Sequence, residues 1–261
     1  MTFPSIEAPP VRATLEADGS LMRLTLDRPK GNILDRAMVA ALRAEVAAAA
    51  AWAPVRAVLI HGEGGHFSFG ASVEEHRPDE VGAMLPEFHA LFRDLLDCGK
   101  VLLAAVSGQC LGGGLELAAF CQRVFAAPKS SLGQPEIKLG VLAPVASLVL
   151  PRRVGQAAAD DLLLTGRSVL ADEALALGLV DELADDPLAA ARAWHQRHLA
   201  PLSAAALRRA ATAARWELRR ALLTELPELE RLYLSDLMET RDAREGIAAF
   251  LEKREPRWSH S

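Results

Sequence analysis

Short apolar runs and longer helical segments alternate along the first half of the chain, and this order constrains the fold more than any other feature. Runs rich in branched residues predict four strands, at 21–26, 55–60, 101–106 and 124–127. Two segments between them carry apolar residues at helical spacing, at 38–52 and 84–96. The first ends before Pro54 and the second near Gly99, as helices do. The order predicts an α/β fold with buried sheets.

The chain changes character after Pro187, where the sequence shows no further strand. Alanine and leucine recur at helical intervals through 190–220 and 226–252. The apolar residues of this tail need a cover, which either a neighbouring subunit or the first region would supply. We favour an oligomer interface over a free-standing helical module, and we divide the chain into residues 1–187 and residues 188–261.

Composition narrows the class of protein that the chain can form. Its 261 residues are 51% hydrophobic and 24% charged, as in a globular protein, and the formal net charge of −5 argues against a nucleic-acid partner. No apolar run approaches the roughly 18 residues that span a bilayer, and residues 1–20 lack the basic start and apolar core of a signal peptide. Three cysteines without metal-ligand spacing are typical of reduced thiols, so we expect a cytoplasmic protein without a metal site.

Residues 101–119 carry the most informative functional signal. A strand-forming run ends at Gly108, and three glycines at 112–114 lead into a helix-forming sequence. Consecutive glycines let a ligand approach the backbone closely, and the N–H groups of a helix N-terminus can bind an anion or an oxyanion. A tight structural turn without a ligand is the alternative. A dinucleotide-binding turn is disfavoured because Gly-x-Gly-x-x-Gly is absent.

Two glutamates are candidates for an acid/base pair. Glu116 lies in the helix start after the glycines, and its apolar neighbours suggest a buried carboxyl, which makes it a general acid/base candidate. Glu136 follows Pro135 and also has apolar neighbours. It lies 20 residues after Glu116, which is enough chain to bring the two side chains together in space. A pair of carboxylates can orient water and move its proton.

A third segment, residues 66–73, follows the strand predicted at 55–60. It is apolar for a loop, so we expect it to lie against a ligand or the core. The backbone N–H after Gly70 can supply a second oxyanion donor. The scattered histidines, His66 and His76 among them, are interpreted as structural rather than catalytic.

Together these segments resemble the crotonase (enoyl-CoA hydratase/isomerase) superfamily. The motifs that carry the resemblance are FSFGA at 67–71, GQCLGGGLELA at 108–118 and GQPEI at 133–137. Further matches are RPK at 28–30, LTGR at 164–167, ALALGLV at 174–180 and FLEKR at 250–254. The motifs have the order and the intervals of the family, from about residue 21 to residue 258.

The resemblance implies a spiral of repeated ββα units in residues 1–187, with the CoA site and the active site, and a helical trimerisation region in residues 188–261. It implies that the backbone N–H groups of Ala71 and Gly113 form the oxyanion hole for an acyl-CoA thioester. Glu116 and Glu136 match the two carboxylates that activate water. Substrate and CoA contacts are implied for Arg28, Lys30, Phe69, Gly70, Ser72, Gly112 and Leu142.

The same resemblance sets the expected partners. No separate cofactor is implied, because CoA enters as part of the substrate. The implied partners are the acyl-CoA thioester and further copies of the chain, in a homotrimer or a homohexamer. Neither a membrane nor a nucleic acid is expected.

Two departures from the common family pattern reshape the predicted acyl pocket. FGAS at 69–72 stands where most hydratases resemble Ala-Gly-Ala-Asp, and LAPVAS at 142–147 stands where many have Pro-Gly-Ala-Gly-Gly. Segments 66–76 and 108–116 are most similar to family members that hydrate a conjugated cyclic dienoyl-CoA in anaerobic benzoyl-CoA breakdown, and we expect that activity. The alternatives are a general enoyl-CoA hydratase, an isomerase or hydrolase of another acyl-CoA, and a non-catalytic acyl-CoA-binding scaffold.

Overall fold

A mostly parallel sheet of six strands forms the centre of the fold. The computed structural model describes residues 9–261. The strands of this sheet are β1 (Val11–Glu16), β2 (Leu21–Leu26), β3 (Ala57–Gly62), β4 (Val101–Val106), β6 (Arg123–Ala126) and β9 (Glu182–Leu183), in that spatial order. β1 pairs antiparallel with β2, and each later pair is parallel. The loops that leave β3 and β4 therefore start side by side at one edge of the sheet.

A second, smaller sheet lies over the glycine turn. It contains β5 (Gln109–Leu111), β7 (Ser131–Gly133) and β8 (Ser168–Leu170), with β7 between the other two. β5 and β7 are parallel, and Leu111 lies opposite Gly133. The N–H of Gly112 extends this pairing by donating to the carbonyl of Gly133 at 2.9 Å. Because of this pairing, the residues that follow β7 lie next to the three glycines.

Helices cover both faces of the large sheet. In the first region they are α1 (Arg36–Ala51), α2 (Val81–Asp97), α3 (Gly113–Phe120), α4 (Pro144–Val154), α5 (Gln156–Thr165) and α6 (Ala171–Ala176). In the tail they are α7 (Pro187–His198), α8 (Ala204–Ala214), α9 (Trp216–Thr224), α10 (Leu226–Arg231) and α11 (Arg241–Leu251), with a π-helical segment at Leu232–Leu237. Short 3₁₀ turns lie at Glu74–His76 and Pro135–Leu139.

The central strands are buried on both sides, which explains their continuous apolar sequences. Val58 and Ile60 of β3 face the main core, which α1 and α2 also enter. Leu59 faces the opposite side and joins a smaller cluster with Leu103 of β4 and Ala191 of α7. The first helix of the tail, α7, thus packs against the second face of the sheet.

The structure confirms the α/β class and all four predicted strands, with corrected bounds for two of them. The strand predicted at 55–60 begins at Ala57, because the N–H of Val55 donates to Trp52 in a turn that follows the helix. The strand predicted at 124–127 is Arg123–Ala126. The helices predicted at 38–52 and 84–96 are Arg36–Ala51 and Val81–Asp97, and the first starts early because Asp35 caps it.

Five strands of the structure lack a sequence signal of their own. β1 lies at the edge of the sheet with most of its side chains exposed, so it has no apolar run. β5, β7, β8 and β9 have two or three residues each. Strands this short form because tertiary pairing holds them, and not because their residues favour a strand.

The tail packs on the first region of the same chain while it leaves some large apolar side chains exposed. Tyr233 and Ile247 are buried within the chain, whereas Trp216, Leu223 and Phe250 are exposed. Residues 1–8, in which we expected no signal peptide and which we placed in the first region, lie outside the described residues. Within residues 9–261, no helix has the length and apolar character required to cross a membrane.

Candidate active site

The three glycines form the turn that the sequence predicts, between β5 and α3. Gly112 has a left-handed φ of +53°, and a Cβ at this position would lie 2.7 Å from Oε1 of Glu136. Only glycine allows the backbone and that carboxyl group to approach so closely. Gly113 begins α3, so its N–H has no acceptor within the helix.

The loop at 67–71 is fastened beside the glycine turn. Ser68 pairs with Cys110 of β5, and its hydroxyl donates to the carbonyl of Asn32 at 2.8 Å while it accepts from the N–H of Gly70 at 3.0 Å. Gly70 has a φ of +103°, and a Cβ there would lie 2.9 Å from the carbonyl oxygen of Leu111. This position therefore also requires glycine.

Two backbone N–H groups lie close together where these segments meet. A Cβ on Gly113 would lie 3.1 Å from the nitrogen of Ala71, and a Cβ on Gly70 would lie 3.3 Å from the nitrogen of Gly113. Within residues 9–261 we find no hydrogen bond from either N–H to another group of the chain. Two adjacent donors of this kind can stabilise a negative charge that develops on a carbonyl oxygen.

Glu116 lies in the first turn of α3 and is 4% exposed, as its apolar neighbours predict. The N–H of Ala146 donates to its Oε1 at 2.8 Å, and the N–H of Val145 also lies within hydrogen-bonding reach. These two residues belong to the N-terminus of α4, which starts at Pro144. Although the two N–H groups oppose the effect, burial raises the pKa of Glu116 to about 7.

Glu136 lies on the short turn after β7, next to the glycines. Its Oε1 accepts a hydrogen bond from the side-chain amide of Gln134 at 3.0 Å, whereas its buried Oε2 has no partner within the described residues. Burial raises the pKa of Glu136 to about 8, and the negative charge of Glu116 contributes to the shift. The two carboxyl groups therefore titrate as a pair that retains a proton near neutral pH.

A cavity of about 460 Å³ opens on Glu136 and Ala71, whereas Glu116 and Gly113 lie outside its wall. Most of its wall is apolar. Its lining includes Phe69, Gly70, Ala71, Gly112 and Glu136 from the predicted site, together with Val73, His76, Leu111, Pro135, Lys138, Leu139, Val141, Gly246, Phe250, Arg254 and Pro256. The end of the tail thus contributes to the wall of the site in its own chain.

A second pocket of about 330 Å³ adjoins the first, and Phe69 lines both. Arg28 and Lys30 lie in its wall, where they add positive charge beside the acids Asp27 and Glu63. Arg28 also forms an ion pair with Asp35.

The buried side chain of Asn32 shapes the loop that carries these two basic residues. Its amide donates to the carbonyls of Glu63 and His66, at 3.0 Å each, and its Oδ1 accepts from the N–H of Arg28 at 2.9 Å. Asparagine also tolerates the left-handed φ of +50° at this position.

Two of the predicted contact residues lie outside the walls of these pockets. Ser72 is buried, and its carbonyl accepts a hydrogen bond from Nδ1 of His76 at 2.7 Å. Leu142 is half-buried and packs against the main core.

Sequence reasoning missed several residues of the site. The sequence suggests a structural role for His76, yet this side chain lines the cavity. Phe250 and Arg254 belong to the motif at 250–254, which the sequence places in the trimer region, and both also line the cavity. Asn32 and Gln134 have no signal in a single sequence, because a buried amide looks like any loop residue until its partners are known.

Comparisons with known proteins find a matching family and similar chains. The sequence model of the enoyl-CoA hydratase/isomerase family matches residues 16–261. A cyclohexa-1,5-dienecarbonyl-CoA hydratase from Thauera aromatica is 52% identical over 251 residues, which cover 96% of this chain and 97% of that relative. A probable enoyl-CoA hydratase from Rhizobium meliloti is 36% identical over 255 residues, covering 94% and 97% of the two chains.

Solved structures show the same architecture. The crystal structure of an enoyl-CoA hydratase/isomerase from Pseudoalteromonas atlantica aligns with a TM-score of 0.83 at 28% sequence identity. The alignment covers 96% of this chain and all of the other.

The raised pKa values of the two buried glutamates predict a stability that depends on pH. Both exceed the ordinary value of 4.5, so the folded chain keeps protons that the unfolded chain has already released between about pH 4.5 and pH 8. The free energy of unfolding should therefore receive a contribution that is present below this window and lost as the pH rises through it. In the double variant Glu116→Gln/Glu136→Gln, this loss should shrink by about 1.4 kcal/mol or more, the equivalent of one pKa unit.

Urea unfolding at about pH 5 and about pH 8 measures this difference. Glu217→Gln, at an exposed position on α9, serves as the control and should follow the wild type. Parallel changes in the wild type and the double variant would contradict the assignment of raised pKa values to this pair.

Proposed function

This chain belongs to the enoyl-CoA hydratase/isomerase family, and we propose that it adds water to a conjugated cyclic dienoyl-CoA. The substrate would be cyclohexa-1,5-diene-1-carbonyl-CoA and the product 6-hydroxycyclohex-1-ene-1-carbonyl-CoA, a step of anaerobic benzoyl-CoA degradation. The observation that carries the proposal is the placement of two buried carboxyl groups beside a pair of adjacent backbone N–H groups. Similarity to the hydratase of Thauera aromatica over nearly the whole chain supports the choice of a ring substrate.

The N–H groups of Ala71 and Gly113 would receive the thioester oxygen. When the oxygen of water bonds to a carbon of the conjugated double-bond system, the displaced electron pair moves toward the thioester oxygen. Two donors fixed in place before the reaction stabilise this charge without having to reorient. They therefore favour the transition state over the ground state, which is what raises kcat.

Glu116 and Glu136 would divide the proton transfer between them. At neutral pH the pair retains a proton, so an ionised carboxylate and a carboxylic acid are available together. The carboxylate takes a proton from water as the C–O bond forms. The acid returns a proton to carbon as the double bonds rearrange, and the overall reaction adds one water to the ester.

The apolar cavity suits a flat ring held against Phe69. This side chain is 41% exposed, and it lies at the boundary between the acyl cavity and the pocket at residues 27–32. In the segment 142–147, the N–H of Ala146 donates to Glu116, a backbone contact that a glycine at this position could also make. Gly70 and Gly112 would let the thioester approach the backbone.

The pocket that contains Arg28 and Lys30 would bind the nucleotide end of CoA. CoA carries phosphates, so basic side chains must meet it locally although the chain as a whole is acidic. The proposed chemistry needs no cofactor or metal, because proton transfer and oxyanion stabilisation complete it. All three cysteines are buried and unpaired, in keeping with the cytoplasmic location that we propose.

We further propose that residues 188–261 form the interface of a homotrimer or homohexamer. Large apolar side chains of this region are exposed on the single chain, among them Trp216, Leu223 and Leu232. Exposed apolar groups of this size are typical of a surface that another subunit covers.

Replacing either glutamate should remove most of the activity. Glu116→Gln and Glu136→Gln should each lower kcat for dienoyl-CoA hydration by roughly 10² or more, the usual contribution of a general acid or base. Steady-state kinetics measure the effect, with Glu217→Gln as a charge-matched control that should retain wild-type kcat. A kcat within a few-fold of wild type for either site variant would remove that glutamate from the mechanism.

Substrate preference separates the ring hydratase from a general enoyl-CoA hydratase. With cyclohexa-1,5-diene-1-carbonyl-CoA and crotonyl-CoA assayed side by side, we expect the higher kcat/KM with the ring ester, because the cavity is apolar and bounded by Phe69. Product masses report the reaction type: hydration adds one water, isomerisation leaves the mass unchanged, and hydrolysis releases free CoA. Preference for crotonyl-CoA would overturn the ring assignment, and binding without turnover of either ester would indicate a scaffold.

The molar mass in solution tests the proposed assembly. Light scattering should give three or six times the 28.0 kDa of one chain. Trp216→Glu/Leu223→Glu should reduce the mass, because it places charge on the exposed apolar side chains of α9. A wild-type mass of 28 kDa would contradict the proposal.

A further inference from the structure

Tyr233 is the single tyrosine of the chain, and its hydroxyl has no hydrogen-bond partner among residues 9–261. It lies in the π-helical segment Leu232–Leu237 and is 1% exposed. A buried hydroxyl without a hydrogen bond is costly, and such groups in a native structure call for an explanation. π-Helical segments of this kind are also frequent at functional sites.

The ring of Tyr233 lies near the site described above. Its ring centroid lies 6.4 Å from that of His76, which lines the acyl cavity. Glu136 and Glu116 lie close enough that their charges add to the effect of burial and raise the pKa of Tyr233. The hydroxyl therefore keeps its proton at any pH at which the enzyme works, and it remains a hydrogen-bond donor.

Its neighbours leave this donor free to act on a ligand. Nδ1 of His76 faces the carbonyl of Ser72 at 2.7 Å, so this nitrogen must carry the hydrogen. Burial lowers the pKa of His76, which keeps the ring neutral. His89 bonds to Glu230 at 2.7 Å, so this acid of α10 is already engaged.

An acceptor in the same site also lacks a partner. Oε2 of Glu136 is buried without a hydrogen bond within the described residues, although Oε1 has one from Gln134. Glu136 of the cavity wall thus has a buried, unpaired acceptor, and the unpaired phenol of Tyr233 lies outside that wall. A small molecule that both accepts and donates hydrogen bonds would satisfy the two groups at once.

We propose that Tyr233 binds the water that the reaction consumes, with its hydroxyl donating to the water oxygen while the glutamate pair accepts the water hydrogens. This inference rests on the proposed hydratase function. One lone pair of the water oxygen accepts from Tyr233, and the other is left to form the bond to carbon. The proton leaves to the ionised carboxylate, the electron pair of the double bond moves toward the thioester oxygen, and Tyr233 keeps its own proton throughout.

The inference is tested first by kinetics of Tyr233→Phe, which removes one oxygen and keeps the ring. The kcat for hydration should fall roughly tenfold or more, as expected when a fixed donor to a reacting group is lost. The KM for the thioester should stay nearly unchanged, because the ester itself does not contact the hydroxyl. Thermal stability should not decrease, since the oxygen has no partner in the described part of the chain.

Ser20→Ala serves as a matched control, because it removes a buried hydroxyl that bonds within the turn between β1 and β2, far from the cavity. This control should retain wild-type kcat. Wild-type kcat in Tyr233→Phe would overturn the inference. So would a loss of kcat that is accompanied by a comparable loss of thermal stability, because that result indicates a structural role.

A spectroscopic readout keeps this test separate from that of the proposed function. Because the chain has one tyrosine, the Raman doublet that reports phenol hydrogen bonding is unambiguous. It should change in Glu136→Gln, since the bound water then loses an acceptor. If the wild type fails to hydrate the dienoyl-CoA, the proposed function fails, and the Raman comparison alone decides the role of Tyr233. An unchanged doublet would overturn it.

Discussion

The site depends on the burial of two carboxyl groups against one glycine turn. A buried carboxylate is costly, and a second one beside it costs more, so the pair stays partly protonated. The fold offsets part of this cost with hydrogen-bond donors: the N-terminus of α4 for Glu116 and the Gln134 amide for Glu136. The remaining cost appears as raised pKa values in both groups. Because these pKa values lie near 7, the pair is suited to exchanging protons at neutral pH.

The rest of the architecture holds that pair in place. Parallel pairing of β5 with β7 brings the turn at 112–114 and the segment at 134–136 together, although 20 residues separate the two acids in the sequence. The loop at 67–71 lies beside the same turn because Ser68 pairs with Cys110 of β5, the strand that leads into it. The tail closes the cavity with Phe250 and Arg254. Three distant parts of the chain therefore meet at one site. The net charge of the whole chain, −5, does not predict the local charge of the second pocket, which contains Arg28 and Lys30.

Much of this arrangement could be predicted from the sequence, and the exceptions have physical causes. The four central strands are recognisable because burial on both faces makes them continuously apolar. The burial of Glu116 follows from its apolar flanks, and the glycine turn follows from three consecutive glycines. By contrast, β7 and β8 have three residues each, and only their tertiary partners make them strands. Asn32, Gln134 and Tyr233 are ordinary residues in the sequence, and their significance depends on which groups the fold places beside them.

We propose that the N–H groups of Ala71 and Gly113 hold a thioester oxygen while the carboxyl pair lies beside the acyl carbons. A crystal structure with an unreactive cyclic acyl-CoA bound would show this arrangement. We expect a thioester oxygen within about 3 Å of both nitrogens, with the ring between Phe69 and the two glutamates. A thioester whose oxygen points away from both nitrogens, or a ring bound outside the cavity that Glu136 lines, would rule this arrangement out.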